Sequence, residues 1–284
     1  MSEPPSHSDP GHHEDVFATL APARRRLARL VLASVVALIV TATVLGLVRV
    51  TGGTDPARPV AQDQLGPVLL VPGYGGGTSG LNRLADALRA SGRDAQVVIP
   101  PAGGTGDLRE QARNLATAVT AARTRSGAPS VDVVGYSAGG VVARLWVRDF
   151  GGATLARRVI TLGAPHHGTE LAALAAGLGG GCPPACEQLV PDSELLRGLN
   201  QGDETPVGPA FVSVWTAQDE VVVPPDSARI DGAVDLVVQD VCAAAQVSHS
   251  ELPANPLVER IVATELSGAT ATSLGAGDCA RLSS

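Results

Sequence analysis

Lysine is missing altogether: all 21 basic residues of this 284-residue chain are arginine. A phosphate-cradling loop of the G-x-x-x-x-G-K-[ST] kind needs a lysine on the phosphates, so that form of nucleotide binding is excluded. Aromatic residues make up only 2% of the chain, which leaves aliphatic side chains to fill the core. The arginines form no basic stripe and the net charge is -7, so the electrostatic footprint of a nucleic-acid partner is absent. Charged residues are 17% and hydrophobic residues 44%, enough at this length to close a sizeable core. No histidine, cysteine and carboxylate set has metal-ligand spacing, and no cofactor is expected.

Residues 1–29 begin polar, with Pro4, Pro5, His7, His12 and His13, and offer no periodic apolar face; they predict a disordered cytoplasmic tail with incidental histidines. Arg24, Arg25, Arg26 and Arg29 then precede residues 30–48, a run without a single charge. As a helix that run spans about 28 Å, close to the roughly 30 Å hydrocarbon core of a bilayer. It predicts one transmembrane helix, a signal anchor or a cleaved signal peptide. The length of the run and the lack of a clean A-x-A site after it favour retention, and the neighbouring arginines also permit twin-arginine export. With the arginines held inside, the chain after Arg49 lies outside the cytoplasm, either membrane-anchored or secreted after cleavage. Residues 49–65 read as a linker, and residues 66–284 as one folded domain with a C-terminal tail.

Within that domain residues 131–140 read V-D-V-V-G-Y-S-A-G-G. Val131, Val133 and Val134 form a short β-branched run, the pattern of a strand buried on both faces of a parallel sheet. Gly135 and Gly139 flank Ser137, and Val141, Val142, Leu145 and Trp146 return at helical spacing. A sharp strand-to-helix turn at a serine strains its backbone and needs small neighbours, and it lifts the hydroxyl toward the N–H groups that open the helix. Ser137 is therefore the candidate nucleophile. The same pattern arises by chance in a chain with 33 glycines, so its partners must carry the assignment.

Strands and helices alternate around this stretch. Val68–Val71 reads as a buried strand, ending in the loop P-G-Y-G-G-G-T-S-G of residues 72–80. Leu81, Leu84, Ala85 and Leu88 make one helical face, and residues 95–99 a second strand. Asp107 with Glu110 caps a helix whose face is Leu108, Ala112, Leu115, Ala116 and Val119. Residues 158–162, 211–215 and 234–238 are further strands, and Leu257, Ile261, Val262 and Leu266 a last helix begun by Asn255 and Pro256. The alternation predicts an α/β fold: a mostly parallel central sheet, helices on both faces, and reactive loops at the carboxyl ends of the strands. A dinucleotide fingerprint can be laid on Gly75, Gly77 and Gly80, yet no acid ends the next strand, which runs into Pro100 and Pro101. A loop of backbone N–H donors facing the nucleophile suits the glycines better. Residues 169–200 are expected as an irregular excursion that shapes access to the site.

Asp219 comes soon after Trp215, where a strand end aims a carboxylate along the sheet edge; its rivals Asp226 and Asp231 lie beyond Pro224 and Pro225. His249 is the only histidine after Asp219. Ser137, Asp219 and His249 thus meet the chain order in which nucleophile, acid and base succeed one another on sheets of this kind. His166 and His167 sit at the same edge, either lining a pocket or only fixing their loop.

The segments V-P-G-Y-G-G, G-Y-S-A-G-G, T-L-G-A-P-H-H-G-T, T-A-Q-D and V-S-H-S-E-L-P stand in the order and rough spacing seen in the α/β-hydrolases. More narrowly, the chain resembles the small bacterial lipases of the class 2 group over about residues 66–266. The resemblance implies a minimal α/β-hydrolase with little lid, hydrolysing triacylglycerol or simpler carboxylic esters. By matching position it implies Ser137, Asp219 and His249 as the triad, with the backbone N–H groups of Tyr74 and Ala138 as oxyanion donors. An acyltransferase or a polyester depolymerase would carry the same triad, and an inactive, tethered binding protein is the alternative from another class. The N-terminal segment departs from the pattern, since such lipases are commonly freed outside the cell. The expected partners are a lipid or small ester substrate and, through residues 30–48, the membrane, with the protein a monomer and no nucleic acid bound.

Four cysteines fit an exported domain, where disulfides persist. They allow three pairings, of which Cys182 with Cys186 and Cys242 with Cys279 is the most local. The second pair would tie the tail back over the region of His249.

Overall fold

The computed structural model describes residues 21–50, 60–178 and 181–283. Most of the tail expected over residues 1–29, and most of the linker expected over 49–65, lie outside the described residues. The chain divides into two units, Met1–Asp55 and Pro56–Ser284. In the first, helix α1 runs Pro22–Val50, and its side chains over residues 30–41 are exposed. The side chains of residues 44–50 lie outside the described set, and among the described residues no helix is long and apolar enough to cross a membrane. The span expected over residues 30–48 is therefore formed as helix but not shown as a membrane segment.

The second unit is an α/β sandwich. Strands β1 (Val68–Val71), β2 (Ala95–Val97), β3 (Val131–Tyr136), β4 (Ala156–Leu162), β5 (Ala210–Trp215) and β6 (Val234–Val237) form one six-stranded sheet in the order β2-β1-β3-β4-β5-β6. Every pairing is parallel. The chain starts at β1, steps out to β2, returns to β3 on the other side of β1, and then walks to the far edge. Helices α2 (Ser79–Ala90), α3 (Leu108–Ser126) and α4 (Ala138–Asp149) make the first three crossovers.

Alternation along each strand sends side chains to two separate cores. Leu69, Val71, Val133, Val159 and Phe211 pack with Leu115 and Val119 of α3 and Val142 and Trp146 of α4. Val68, Leu70, Val134, Ile160, Val212 and Val214 pack on the other face with Leu84 and Leu88 of α2. Both faces are thus covered, which is why the strands read as continuous apolar runs. Each aliphatic side chain so buried contributes about 1.5–3 kcal/mol. Asp107 starts α3 as expected, its Oδ1 accepting the N–H groups of Arg109 at 2.7 Å and Glu110 at 3.0 Å.

Three details differ from the sequence expectations. Strand β2 stops at Val97 instead of reaching residue 99: Val98 still donates its N–H to the Leu70 carbonyl at 2.8 Å, but Ile99 is 72% exposed as the chain turns away into Pro100, which has no N–H to give. The excursion is not irregular. It holds helices α5 (Glu170–Gly177), α6 (Pro184–Gln188) and α7 (Glu194–Leu199), each too short to show a periodic face, with Thr169 and Ser193 capping α5 and α7. Strand β6 ends at Val237, and Val238–Val241 form a single turn, α8, before the closing helices α9 (Pro256–Ser267) and α10 (Cys279–Ser283). Helix α9 adds Val258, Ile261 and Val262 to the second core.

Both local cysteine pairs form, Cys182–Cys186 and Cys242–Cys279. The second joins Cys279, the first residue of α10, to Cys242, which directly follows α8.

Candidate active site

Strand β3 delivers Ser137 to the carboxyl edge of the sheet with φ 52° and ψ -129°, a conformation that costs a non-glycine residue about 1–3 kcal/mol and persists only where the surroundings impose it. The surroundings here are backbone. A Cβ on Gly139 would stand 2.2 Å from the Val71 carbonyl oxygen, and one on Gly135 would stand 2.5 Å from the Gly139 oxygen. Ser137 N–H donates to the Leu162 carbonyl at 2.8 Å, pinning the elbow to β4. Ala138 opens α4, so its N–H belongs to the first turn, where no intrahelical acceptor exists. The loop after β1 presses in from the other side, a Cβ on Gly73 meeting the Ser137 Cβ at 2.8 Å.

His249 begins a 3-10 stretch, His249–Ala254, opened by a capping box in which Glu251 Oε2 accepts Ser248 N–H at 2.8 Å and Ser248 Oγ–H at 2.7 Å. The His249 N–H donates to Glu220 Oε2 at 3.1 Å, and the Tyr136 hydroxyl donates to the His249 carbonyl at 3.2 Å. Burial, together with Asp219 and Glu220, pushes the Tyr136 phenol up to about 12, so it stays a donor at neutral pH. The ring is fixed at both nitrogens: Nδ1 lies 2.7 Å from Asp219 Oδ2, and Nε2 lies 3.1 Å from Ser137 Oγ. A carboxylate beside Nδ1 keeps the proton on that nitrogen and leaves a lone pair at Nε2 for the serine O–H.

Asp219 is buried, and its second oxygen is held by two N–H donors, Val221 at 2.9 Å and Val222 at 2.7 Å. Its rivals Asp226 and Asp231 are exposed. Three supporting residues escaped sequence reasoning: Tyr136, Glu220 and Gly163. A Cβ on Gly163, at φ 53°, would meet Leu252 Cδ1 at 2.5 Å and His249 Nδ1 at 3.2 Å. The glycine directly after the apolar strand T-L was the available signal.

Beside Ser137 lies an apolar pocket of about 280 Å³ whose walls include Tyr74, Pro165, Leu171, Leu189 and Val222. His166 and His167 are not among its lining residues. His166 is fully buried with Nε2 3.1 Å from Thr161 Oγ1, and burial, aided by Arg144, holds its pKa well below the usual histidine value. His167 Nε2 is 3.1 Å from Glu204 Oε1. Both fix loops. Among the described residues no group of three or more His, Cys, Asp or Glu is placed to hold a metal ion.

A family model described as Lipase (class 2) matches residues 107–252. The chain belongs to the class 2 lipases. Membership places it among the carboxylic ester hydrolases, and the matched region takes in Ser137, Asp219 and His249 while leaving out β1 and Tyr74. Solved structures share the fold. Aspergillus fumigatus lipase B superposes with a TM-score of 0.64 at 21% identity, over 79% of this chain and 57% of that one. The mature form of Bacillus licheniformis lipase BlEst2 gives 0.58 at 19% identity, over 75% of this chain and 94% of that one. This class 2 lipase thus spans little more than half of the Aspergillus protein and matches nearly all of the Bacillus one. A search of the curated proteins returned no match.

Proposed function

We propose that this class 2 lipase cleaves carboxylic esters through an acyl-enzyme on Ser137, with His249 as the base and Asp219 as its orienting acid. The observation that carries this is the continuous hydrogen-bonded line from Asp219 Oδ2 through both His249 nitrogens to Ser137 Oγ, at 2.7 Å and 3.1 Å. Neutral His249 takes the serine proton as Oγ attacks the ester carbonyl, and Asp219 stabilises the imidazolium that results. The N–H groups of Ala138 and Tyr74 bind the developing oxyanion, each worth about 3 kcal/mol in the transition state. His249 then protonates the leaving alcohol, and water, activated in the same way, releases the acid. The apolar pocket of about 280 Å³ beside Ser137 receives the acyl chain, in keeping with a lipid or small ester as substrate.

The reading extends to location. Residues 30–48 anchor the protein in the membrane, with Arg24, Arg25, Arg26 and Arg29 inside and a monomeric catalytic domain, from residue 66 onward, outside. The uncharged run and the two disulfides support this. Recovery of the full chain in the alkali-washed membrane fraction checks the anchor.

Turnover of p-nitrophenyl esters from short to long chains, beside an emulsified triglyceride, tests the chemistry. Ser137→Ala and His249→Ala are each expected to lose on the order of 10⁴-fold or more in kcat while keeping the wild-type circular dichroism. A fluorophosphonate is expected to label Ser137 in the wild type. Normal turnover in either variant ends the proposal, and an unlabelled serine with no turnover favours an inactive binding protein.

A further inference from the structure

The turn that presents Asp219 and the wall of the apolar pocket are built from the same residues. Val221 and Val222 supply the two N–H donors on Asp219 Oδ1, and both also line the pocket, as does Thr169. Thr169 closes this unit. Its hydroxyl donates to the Val221 carbonyl at 2.7 Å and accepts the N–H of Val223 at 3.1 Å and of Leu171 at 3.3 Å. Two backbone bonds flank it, Glu170 N–H to the Val223 carbonyl at 2.8 Å and Thr169 N–H to the Leu189 carbonyl at 3.0 Å. A hydroxyl has one proton and two lone pairs. All three are committed here, so Thr169 has nothing left to offer a ligand even though it lines the cavity. At 6% exposed, it leaves little room for water to replace those bonds.

We infer that Thr169 is a positioning residue for Asp219, joining the acid's turn to the acyl-pocket wall so that the two hold their geometry as one unit. The inference rests on Asp219 being the acid of a triad. Remove the hydroxyl and the 221–223 backbone loses two of its three bonds to this segment, keeping only Glu170 N–H on the Val223 carbonyl; the carboxylate held by that backbone shifts, and with it the imidazole. Misplacements of about 1 Å at a reacting group cost on the order of 100-fold.

The test compares Thr169→Val, Thr169→Ser, Asp219→Ala and the Thr169→Val/Asp219→Ala double variant in the full chain, with p-nitrophenyl esters as probes. Thr169→Val is expected to lower kcat by about 10- to 100-fold with KM changed by less than about threefold. Thr169→Ser is expected to restore kcat to within about threefold, and Thr169→Val is expected to add no further loss once Asp219 is alanine. A loss confined to KM, or losses that multiply in the double variant, overturns the inference. Thr169→Ala repeats the test should the valine variant not fold, and a hydroxyl needed for folding in both overturns the positioning role. Ser137→Ala keeps the two levels apart: turnover surviving there defeats the triad, whereas multiplying losses with Ser137→Ala inactive defeat only the role of Thr169.

Discussion

Arg157 and Asp132 meet in a two-pronged ion pair, Nε on Oδ1 at 2.8 Å and Nη2 on Oδ2 at 2.7 Å, with both side chains closed off from solvent. Arg93 adds a third contact, Nη2 to Asp132 Oδ2 at 2.6 Å. The remaining Arg157 protons go to the carbonyls of Gln62, Leu266 and Gly268 at 3.1, 2.7 and 3.0 Å. One buried cation thereby gathers the chain before β1, the start of β3 and the end of α9. It lies at the amino ends of the strands, opposite the edge that carries Ser137.

Asp132→Ala leaves Arg157 charged and buried without its carboxylate, a loss of about 3–5 kcal/mol from a total that for most domains is about 5–15 kcal/mol. Urea unfolding of the variant is expected to show a midpoint lowered to match, while kcat of the protein that remains folded is unchanged. A stability loss below about 1 kcal/mol, the range of an exposed pair, would falsify the structural role given to Arg157.

The two disulfides are expected to differ in weight. Cys242 and Cys279 are 37 residues apart in sequence and Cys182 and Cys186 only 4, and loop-closure entropy then assigns roughly 4 and roughly 2 kcal/mol. Calorimetry of Cys242→Ala/Cys279→Ala against Cys182→Ala/Cys186→Ala is expected to show the larger drop in Tm for the first pair. The reverse order would rule out unfolded-chain entropy as the main contribution.

His166 makes stability fall in mild acid. Its folded pKa is held well below the usual value by burial first and by Arg144 second, whereas the unfolded side chain takes up its proton near pH 6.5. Between those two points the unfolded chain binds more protons than the folded one. The contribution is therefore complete above about pH 6.5 and is lost as pH drops below it, at up to about 1.4 kcal/mol per pH unit. Urea midpoints measured from pH 8 to pH 5 are expected to fall less steeply in His166→Asn than in the wild type. Equal slopes would mean that His166 does not titrate on unfolding.

Much of the architecture was legible in the chain because local signals agreed with it. The apolar runs at β1, β3, β4 and β5, the Asp107 cap and the Asn255–Pro256 start all appear where patterning places them, and the nearest cysteines pair. The short helices of the excursion were not legible, since α6 and α7 barely exceed one turn and are held by tertiary bonds, such as Gln188 Nε2 to Asp107 Oδ2 at 2.6 Å. The buried arginines were equally hidden. Arg144, Arg157 and Arg158 are almost wholly enclosed, and nothing in their immediate sequence marks them off from exposed arginines such as Arg113 or Arg125.

What the chain alone determined is the order of its elements and the turn at Ser137, because strand patterning and the need for glycine beside a strained serine act over a few residues. How Asp219, already favoured over Asp226 and Asp231 by its place after β5, is held against His249, which wall bounds the pocket and which cations go without water were decided only in three dimensions. Those choices depend on the distances between segments far apart in sequence, here residues 30 and 112 positions from one another at His249, and on the desolvation that only a closed core imposes.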